Sequence, residues 1–137
     1  MDYVILLKSG GAPDVREIPV NTDASETPES LSETLIGCEY AELVRPVGML
    51  GKYGFYVDES GVLYKQPANY YASALYGTDE HFQPICGDAV VVRLNPDYSA
   101  SWLDAEDIPE IKRMIEASEM RFRTNMEEII RKYRRDH

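Results

Sequence analysis

Catalytic side chains are scarce in this sequence. Its 137 residues include only two histidines and two cysteines. No CxxC, HExxH or paired-histidine spacing is present, which argues against a transition-metal site. Neither the G-x-S-x-G elbow of hydrolases nor the glycine-rich loop of phosphate-binding enzymes occurs. The sequence therefore predicts a protein that is not an enzyme, with no catalytic residue, no metal site and no cofactor.

Long hydrophobic runs are also missing. No stretch approaches the roughly 20 apolar residues that a membrane-spanning helix needs. The first ten residues, MDYVILLKSG, lack the basic start and the longer apolar run of a signal peptide. We therefore expect a cytoplasmic protein with no membrane partner, whose Cys38 and Cys86 stay reduced.

Positive charge is scarce in the larger part of the chain. Residues 1–108 carry 6 basic and 18 acidic side chains, whereas residues 109–137 carry 8 basic and 6 acidic ones. An acidic body repels phosphates, so general binding of nucleic acid is not expected. The acid serves either solubility or the imitation of a nucleic-acid surface. Most of these carboxylates occur singly or in pairs, which favours solubility.

The pattern of apolar residues predicts an α+β fold. Short apolar or alternating runs indicate a mostly antiparallel sheet of five or six strands, at 3–8, 15–20, 39–46, 53–57, 62–65 and 88–94. The last run is almost continuously apolar, which favours a central strand. Thr27 and Pro28 are typical of a helix start, so a short helix is expected near 28–36. Residues 68–75 predict a turn or two of helix, and residues 76–84 a loop.

The C-terminal segment predicts one long amphipathic helix. Apolar residues recur every three or four positions from Ile108 to Tyr133, with Ser118 in the middle. A straight helix over 108–135 would measure about 42 Å, which exceeds the roughly 37 Å diameter of a compact domain of this size. Either the helix breaks near Ser118 or its end packs on another subunit. We divide the chain into an α+β domain at 1–103 and this helix at 104–137, and expect a homo-oligomer.

Most aromatic residues are tyrosines, ten of fourteen. Tyrosine combines a large ring with a polar tip, so it suits ligand walls and wet interfaces. The segment QPANYYASALYG, residues 66–77, places three tyrosines near Asn69, and Tyr64 comes just before it. Two interpretations stay open. The cluster forms a pocket for a base, or it packs a loop in which Asn69 caps the backbone.

The pocket hypothesis gives a defined set of ligand-binding candidates. The rings would stack a base, the amide would read its polar edge, and arginines of the C-terminal helix would hold phosphate. The set comprises Asn69, Tyr70, Tyr71, Tyr76, Phe82, Arg113, Arg121 and Arg123. Alternatively, the arginines belong to a solvated helix face and pair with neighbouring glutamates. The predicted ligand is a small anion or a nucleotide.

One stretch resembles a known family. It runs GFYVDESGVLYKQPANYYASALYGTDEHFQPICGDAVVV, residues 54–92, and contains an acidic-glycine turn, a Pro-x-Asn step, an Ala-x-x-Leu-Tyr-Gly segment and an Ile-x-Gly-Asp strand start. The matching positions are Val57, Asp58, Glu59, Gly61, Pro67, Asn69, Ala72, Leu75, Tyr76, Gly77, Ile85, Gly87 and Asp88. This pattern is similar to family 3846 of the domains of unknown function, small proteins of bacteria, phages and mobile elements. The resemblance implies an accessory protein of a phage or mobile element rather than a particular activity.

Three functions are consistent with these features. The first is a non-enzymatic binding protein, in its specific form a counter-defence protein that sequesters a nucleotide signal. The second is an acidic inhibitor that binds a DNA-handling enzyme by mimicking DNA. The third is a hydrolase or nuclease with carboxylate-bound Mg²⁺, for which Asp58, Glu59 and Asp88 are the acids to consider. Aromatic residues near a locally basic helix favour the first.

Overall fold

An antiparallel sheet forms the middle layer of the protein. The computed structural model describes residues 1–21, 25–61 and 65–136. Within these ranges the sheet has six strands: β1 Asp2–Lys8, β2 Asp14–Val20, β3 Ala41–Val44, β4 Tyr53–Asp58, β5 Ala89–Leu94 and β6 Ala100–Ser101. Their order is β2-β1-β5-β4-β3, and β6 pairs with the end of β5. The predicted α+β class is therefore confirmed, and β5 is the central strand.

Helices cover both faces of this sheet. They are α1 Pro28–Ile36, α2 Tyr70–Tyr76, α3 Thr78–His81 and α4 Asp107–Asp136. Alternate strand residues point to opposite faces. Ile5 and Val91 belong to the core beneath α2 and α4, whereas Val4 and Val90 pack toward α1. None of these helices is long and apolar enough to cross a membrane.

Local signals explain where the short helices begin and end. The Thr27 hydroxyl accepts a hydrogen bond from the Ser30 N–H at 3.1 Å, and Gly37 follows α1 in the left-handed conformation, with φ of 77°. The predicted helix near 28–36 is therefore confirmed. Gly77, also left-handed, ends α2 and lets the chain turn at once into α3, where a loop was predicted.

The sequence also predicts a strand at 62–65, which would form a hairpin with β4. Residues 62–64 lie outside the described ranges, and Lys65 lies in a turn. Both edges of β4 are occupied, because β3 pairs along one side and β5 along the other. The neighbours of β4 are therefore β3, the strand that precedes it in the sequence, and β5, the strand that follows it in the described ranges.

The long helix α4 does not break at Ser118. Its 30 residues run continuously for about 45 Å. A Cβ atom on Gly48 would lie only 2.5 Å from the Ser118 Oγ and 3.0 Å from the Leu75 carbonyl oxygen. Ser118 is therefore small because the backbone of a neighbouring turn crosses α4 there. Beyond this point α4 rises out of the core, and Ile130 is 46% exposed.

Candidate functional site

Asn69 lies in the interior, at the start of α2. Its Oδ1 atom accepts a hydrogen bond from the Ala72 N–H at 3.1 Å and so caps the helix. Its Nδ2 atom donates to the backbone oxygens of Leu7 at 2.8 Å and Gly87 at 3.0 Å. The side chain is fully buried. The expectation that Asn69 reads a ligand is therefore corrected: its amide fastens α2 to β1 and to the chain before β5.

Tyr70 packs between α2 and α4. Its ring makes edge-to-face contacts with Tyr71 and Phe122, with 5.6 Å between ring centroids in each pair. Its hydroxyl donates to the Glu119 Oε1 atom at 2.9 Å, and the same carboxylate pairs with Arg123. Burial and the hydrogen bond to Glu119 raise the pKa of Tyr70. These contacts join two helices of the same chain.

Two predicted residues do share a groove beside α4. Tyr71 and Arg123 line a groove of about 500 Å³ together with Lys112 and Glu119. Lys112 pairs with Glu17 at 3.2 Å across to β2, and Arg123 pairs with Glu119. Both cations that line this groove therefore already have carboxylate partners. We call it the Tyr71–Arg123 groove.

The other predicted residues lie apart from this groove. Tyr76 faces a different cavity, and its ring centroid is 5.7 Å from that of His81. Phe82 follows α3 and is 68% exposed, and Arg113 is exposed on α4. The eight candidates are therefore not brought together in one pocket.

Arg121 neutralises the negative charge of a buried carboxylate, that of Asp79. The Asp79 side chain is completely buried, and its Oδ2 atom accepts hydrogen bonds from Arg121 and, at 2.6 Å, from Asn125. Arg121 also donates to the Ala74 carbonyl oxygen at 3.0 Å. The Oδ1 atom of Asp79 has no hydrogen-bond partner within the described ranges. A buried charge needs such compensation, so Arg121 anchors the middle of α4 to α2 and α3.

A second groove lies at one end of the sheet, and sequence reasoning missed it. It measures about 530 Å³. Its polar and aromatic walls are Arg45, Lys52, Tyr53, Arg93, Asn95, Tyr98 and the carboxylate of Asp107. The antiparallel register explains this meeting, because it pairs the first residue of β4, Tyr53, with Arg93 near the end of β5. We call it the Arg45–Tyr98 groove.

Arg45 and Tyr98 form the open wall of this groove. The guanidinium carbon of Arg45 lies 4.5 Å from the centroid of the Tyr98 ring, which is a cation–π contact. No carboxylate forms an ion pair with Arg45 among the residues that the structure describes. Tyr98 is 67% exposed and has a φ of 69°. Residues other than glycine and asparagine rarely adopt this left-handed conformation.

The turn that carries Tyr98 is held by its own hydrogen bonds. The Asn95 N–H bonds to the Ser99 carbonyl oxygen at 2.8 Å, and the Tyr98 N–H bonds to the Asn95 carbonyl oxygen at 2.9 Å. The Ser99 hydroxyl donates to the Asp97 carboxylate at 2.6 Å. The ring is therefore presented to solvent on a closed turn between β5 and β6.

The inner wall of the groove is a charge network. Arg93 pairs with Asp107 and, at 3.1 Å, with Asp104. The hydrogen bond to Asp107 raises the pKa of Arg93. Burial alone would raise the pKa of Asp107, but hydrogen bonds from the Asp104 N–H, Tyr53 and Arg93 outweigh it and lower that pKa. Arg93 is thus a fixed cation facing the groove.

Tyr53 and Lys52 extend this network toward α4. The Tyr53 hydroxyl lies 2.7 Å from the Asp107 Oδ1 atom and 2.8 Å from the Glu110 Oε2 atom. Burial, then these two hydrogen bonds, raise the pKa of Tyr53 far above its ordinary value. Lys52 pairs with the other oxygen of Glu110. The Tyr53 hydroxyl therefore stays protonated and bridges the start of α4 to the sheet.

A sequence signal for this groove existed in the charge count. Only six lysines and arginines occur in residues 1–108. Three of them, Arg45, Lys52 and Arg93, line the Arg45–Tyr98 groove. Each lies at the end or start of a predicted strand, but their convergence depends on the strand order, which the sequence pattern did not provide.

Two of the three acids considered for a metal site, Asp58 and Asp88, accept hydrogen bonds from their own chain. Asp88 accepts hydrogen bonds from Lys8 at 2.9 Å and from the Ser9 N–H at 2.8 Å. Burial would raise the pKa of Asp88, but these bonds outweigh it and lower that pKa. Asp58 accepts from Gln66 at 2.7 Å. Across the described ranges, no three acidic, histidine or cysteine side chains are grouped so that they could hold a metal ion.

Comparisons with known proteins give no match that would assign a role to either groove. The chain matches no model of a protein family, no curated protein and no solved structure. The resemblance to family 3846 stays a prediction.

Proposed function

We propose that this protein is a non-enzymatic binding protein whose ligand is a small anion with a planar ring, a nucleotide being the fitting class. The site is the Arg45–Tyr98 groove. One observation carries the proposal: Arg45 has no carboxylate partner within the described ranges and lies on an exposed tyrosine ring. Of the three cations that line this groove, Arg45 alone has no carboxylate partner in the described ranges, since Lys52 pairs with Glu110 and Arg93 with Asp107.

The walls of the groove suit the two chemical parts of a nucleotide. A base can stack on Tyr98 or on the planar guanidinium of Arg45, and base stacking on an aromatic side chain is worth about 1–3 kcal/mol. Phosphate oxygens can accept from Arg45 and from Lys52 and Arg93 at the inner wall. The volume of about 530 Å³ lies within the range of small-molecule sites.

The neighbouring charges limit how strong this binding is. Arg93 and Lys52 already have carboxylate partners, so they add a weaker attraction than Arg45. The groove is therefore close to neutral on an acidic body. Binding should weaken as salt is added, because much of the attraction is between exposed charges.

The proposal is tested by titrating a panel of mononucleotides and cyclic nucleotides in a calorimeter. Arg45→Ala and Tyr98→Ala should each lower the affinity about tenfold, which corresponds to about 1.4 kcal/mol. The matched control is Tyr71→Ala with Arg123→Ala, which alters the other groove and should leave the affinity unchanged. Binding that is lost only in the control pair would move the site to the Tyr71–Arg123 groove. No binding to wild type would overturn the proposal.

The biological setting that we propose is the accessory protein of a phage or mobile element, where sequestering a nucleotide signal would counter a host defence. The resemblance of residues 54–92 supports this setting. Incubation of the protein with the bound nucleotide, followed by chromatography, should return the ligand intact.

A second candidate is the acidic inhibitor, and one observation favours it. Burial and then the charges of Glu29 and Glu33 raise the pKa of Tyr56. Burial and then Asp58 and Glu33 raise the pKa of Cys38. Several carboxylates therefore act together on the α1 side of the sheet. Charge reversal of Glu29 and Glu33 to lysine should abolish salt-sensitive capture of a DNA-handling enzyme, and equal capture by the variant would exclude this candidate.

A further inference from the structure

The Arg45–Tyr98 groove offers a ligand one cation that has no ion-pair partner in the described ranges. Arg45 is exposed, and its guanidinium carbon lies 4.5 Å from the centroid of the Tyr98 ring. A cation–π contact stabilises a cation without neutralising its charge. The other two cations of the groove, Lys52 and Arg93, pair with carboxylates in the first turn of α4. Among the three cations that line the groove, Arg45 therefore supplies the positive charge that is left for a ligand.

The Lys52 ammonium is neutralised by Glu110. One oxygen of this carboxylate accepts a hydrogen bond from Lys52, and the other accepts one from the Tyr53 hydroxyl at 2.8 Å. These two bonds, that from Lys52 first, lower the pKa of Glu110, so the carboxylate is charged at neutral pH. The ammonium also lies 6.0 Å from the centroid of the Tyr53 ring. A phosphate that used Lys52 would have to displace Glu110 or lie beside its negative charge.

The Arg93 guanidinium is neutralised in the same way by two acids. It pairs with Asp107, whose side chain is only 11% exposed, and with Asp104 at 3.1 Å. Asp107 itself lines the groove. A phosphate close to Arg93 therefore also meets the Asp107 carboxylate, and like charges at short range repel each other. Every negative charge of a ligand beyond the first adds repulsion from Asp107 and Glu110 that Arg45 alone does not offset.

The charge of the whole body adds to this limit. Residues 1–108 carry 18 acidic and 6 basic side chains, so their summed field repels anions. This repulsion grows in proportion to the charge of the ligand. A phosphodiester carries one negative charge, whereas a terminal phosphate carries about 1.5 to 2 at pH 7. Each phosphate added in a di- or triphosphate increases the charge further. The groove therefore matches a phosphodiester best.

We propose that the Arg45–Tyr98 groove selects nucleotides whose phosphate is a singly charged diester, cyclic mononucleotides being the simplest, over nucleoside diphosphates and triphosphates. This inference rests on the proposed function, since it names the class of nucleotide that the same groove takes. Arg45 binds the diester while the base stacks on Tyr98. Glu110 is a positioning residue for this selectivity, because it occupies Lys52, which would otherwise be available to a second phosphate.

Calorimetric titration of wild type with four adenine nucleotides tests the selectivity. The ligands are cyclic AMP, AMP, ADP and ATP, at one ionic strength and with a metal chelator, so that no Mg²⁺ masks the phosphate charge. Cyclic AMP should bind about tenfold more tightly than ATP, with AMP and ADP in between. The same series with guanine in place of adenine checks that the order follows the phosphates and not the base.

Glu110→Gln tests the positioning role. The amide keeps an oxygen that accepts from Tyr53 but loses the negative charge, so Lys52 is released to a second phosphate. Affinity for ATP should rise about tenfold, while affinity for cyclic AMP stays close to that of wild type. Adding Lys52→Ala should remove the gain. The matched control is Glu116→Gln, which makes the same change in the Tyr71–Arg123 groove and should leave the order of the four ligands unchanged.

The outcomes separate this inference from the function on which it rests. If wild type binds ATP as tightly as cyclic AMP, and Arg45→Ala weakens both, the selectivity is overturned and the nucleotide site stands. If Glu110→Gln changes the affinities for ATP and cyclic AMP by the same factor, the positioning role of Glu110 is overturned. If no adenine or guanine nucleotide binds, the proposed function and the selectivity are overturned together. Thermal melts check that each variant is folded.

Discussion

The cluster around Asn69 and the Arg45–Tyr98 groove contain similar residue types, yet they differ in where their polar groups point. In the cluster, Asn69 and Arg121 bond to the backbone or to a carboxylate of their own chain. In the groove, Arg45 lies on an exposed ring with no ion-pair partner in the described ranges. Tyrosines near arginines therefore do not mark a binding site by themselves. What matters is whether the cation is already compensated.

The largest expected effect is on stability, at Asn69. Asn69→Ala removes a helix cap and leaves the Leu7 and Gly87 carbonyl oxygens without their buried donor. We expect the free energy of unfolding to fall by about 3 kcal/mol, measured by urea denaturation. Nucleotide affinity, measured where the variant is still folded, should match wild type. A loss of affinity without a loss of stability would return Asn69 to a binding role.

The next effect concerns the buried carboxylate. Arg121→Ala leaves the buried Asp79 carboxyl group without its cation, and we expect the free energy of unfolding to fall by about 2 kcal/mol, since Arg121 itself is partly exposed. Adding Asp79→Asn should recover part of that loss. Arg123→Ala is the matched control: the Arg123 side chain is exposed, and we expect its loss to have a much smaller effect on stability than the loss of Arg121. Equal losses in the two arginine variants would contradict this assignment.

A smaller effect on stability is expected in the groove, with a clear effect on binding. Tyr98→Gly removes the ring but supplies a residue that adopts φ of 69° without strain. We expect the free energy of unfolding to change by less than about 0.5 kcal/mol, because relief of strain offsets the lost cation–π contact. Nucleotide affinity should fall about tenfold. A stability loss as large as that of Asn69→Ala would show that the ring is structural.

The smallest effect is the pH dependence of the inner wall. The pKa of Asp107 is lower in the folded protein than in the unfolded chain. Its contribution to stability is therefore present above the unfolded value of about 3.9 and is lost as the pH falls through the folded value. Asp107→Asn should flatten the acid side of a plot of unfolding free energy against pH. An unchanged acid side would mean that the Arg93 pair contributes nothing.

Much of the fold could be predicted because its signals are local. The capped helix at Thr27, the apolar run of β5 and the stripe of α4 each lie within a few turns or one strand of sequence. The site is different, since Arg45 and Arg93 are 48 positions apart and meet only through the register of β3, β4 and β5. Likewise, nothing near Asn69 in the sequence indicates that its amide would bond to Leu7. The periodicity of apolar residues predicts each strand and helix, but it does not indicate which strands lie next to each other in the sheet.

The contact between Gly48 and Ser118 has a consequence for how this sequence can change over time. The two residues are 70 positions apart, but a single added Cβ at one would collide with the hydroxyl of the other. The space between the two backbones is therefore only large enough for the side chain of Ser118. Homologues should therefore keep glycine at position 48 wherever position 118 carries serine or a larger residue, because the Leu75 backbone leaves no other space for a side chain at 48. In a relative of unknown structure, this pair of residues would indicate that the long helix packs against the turn at position 48 in the same way.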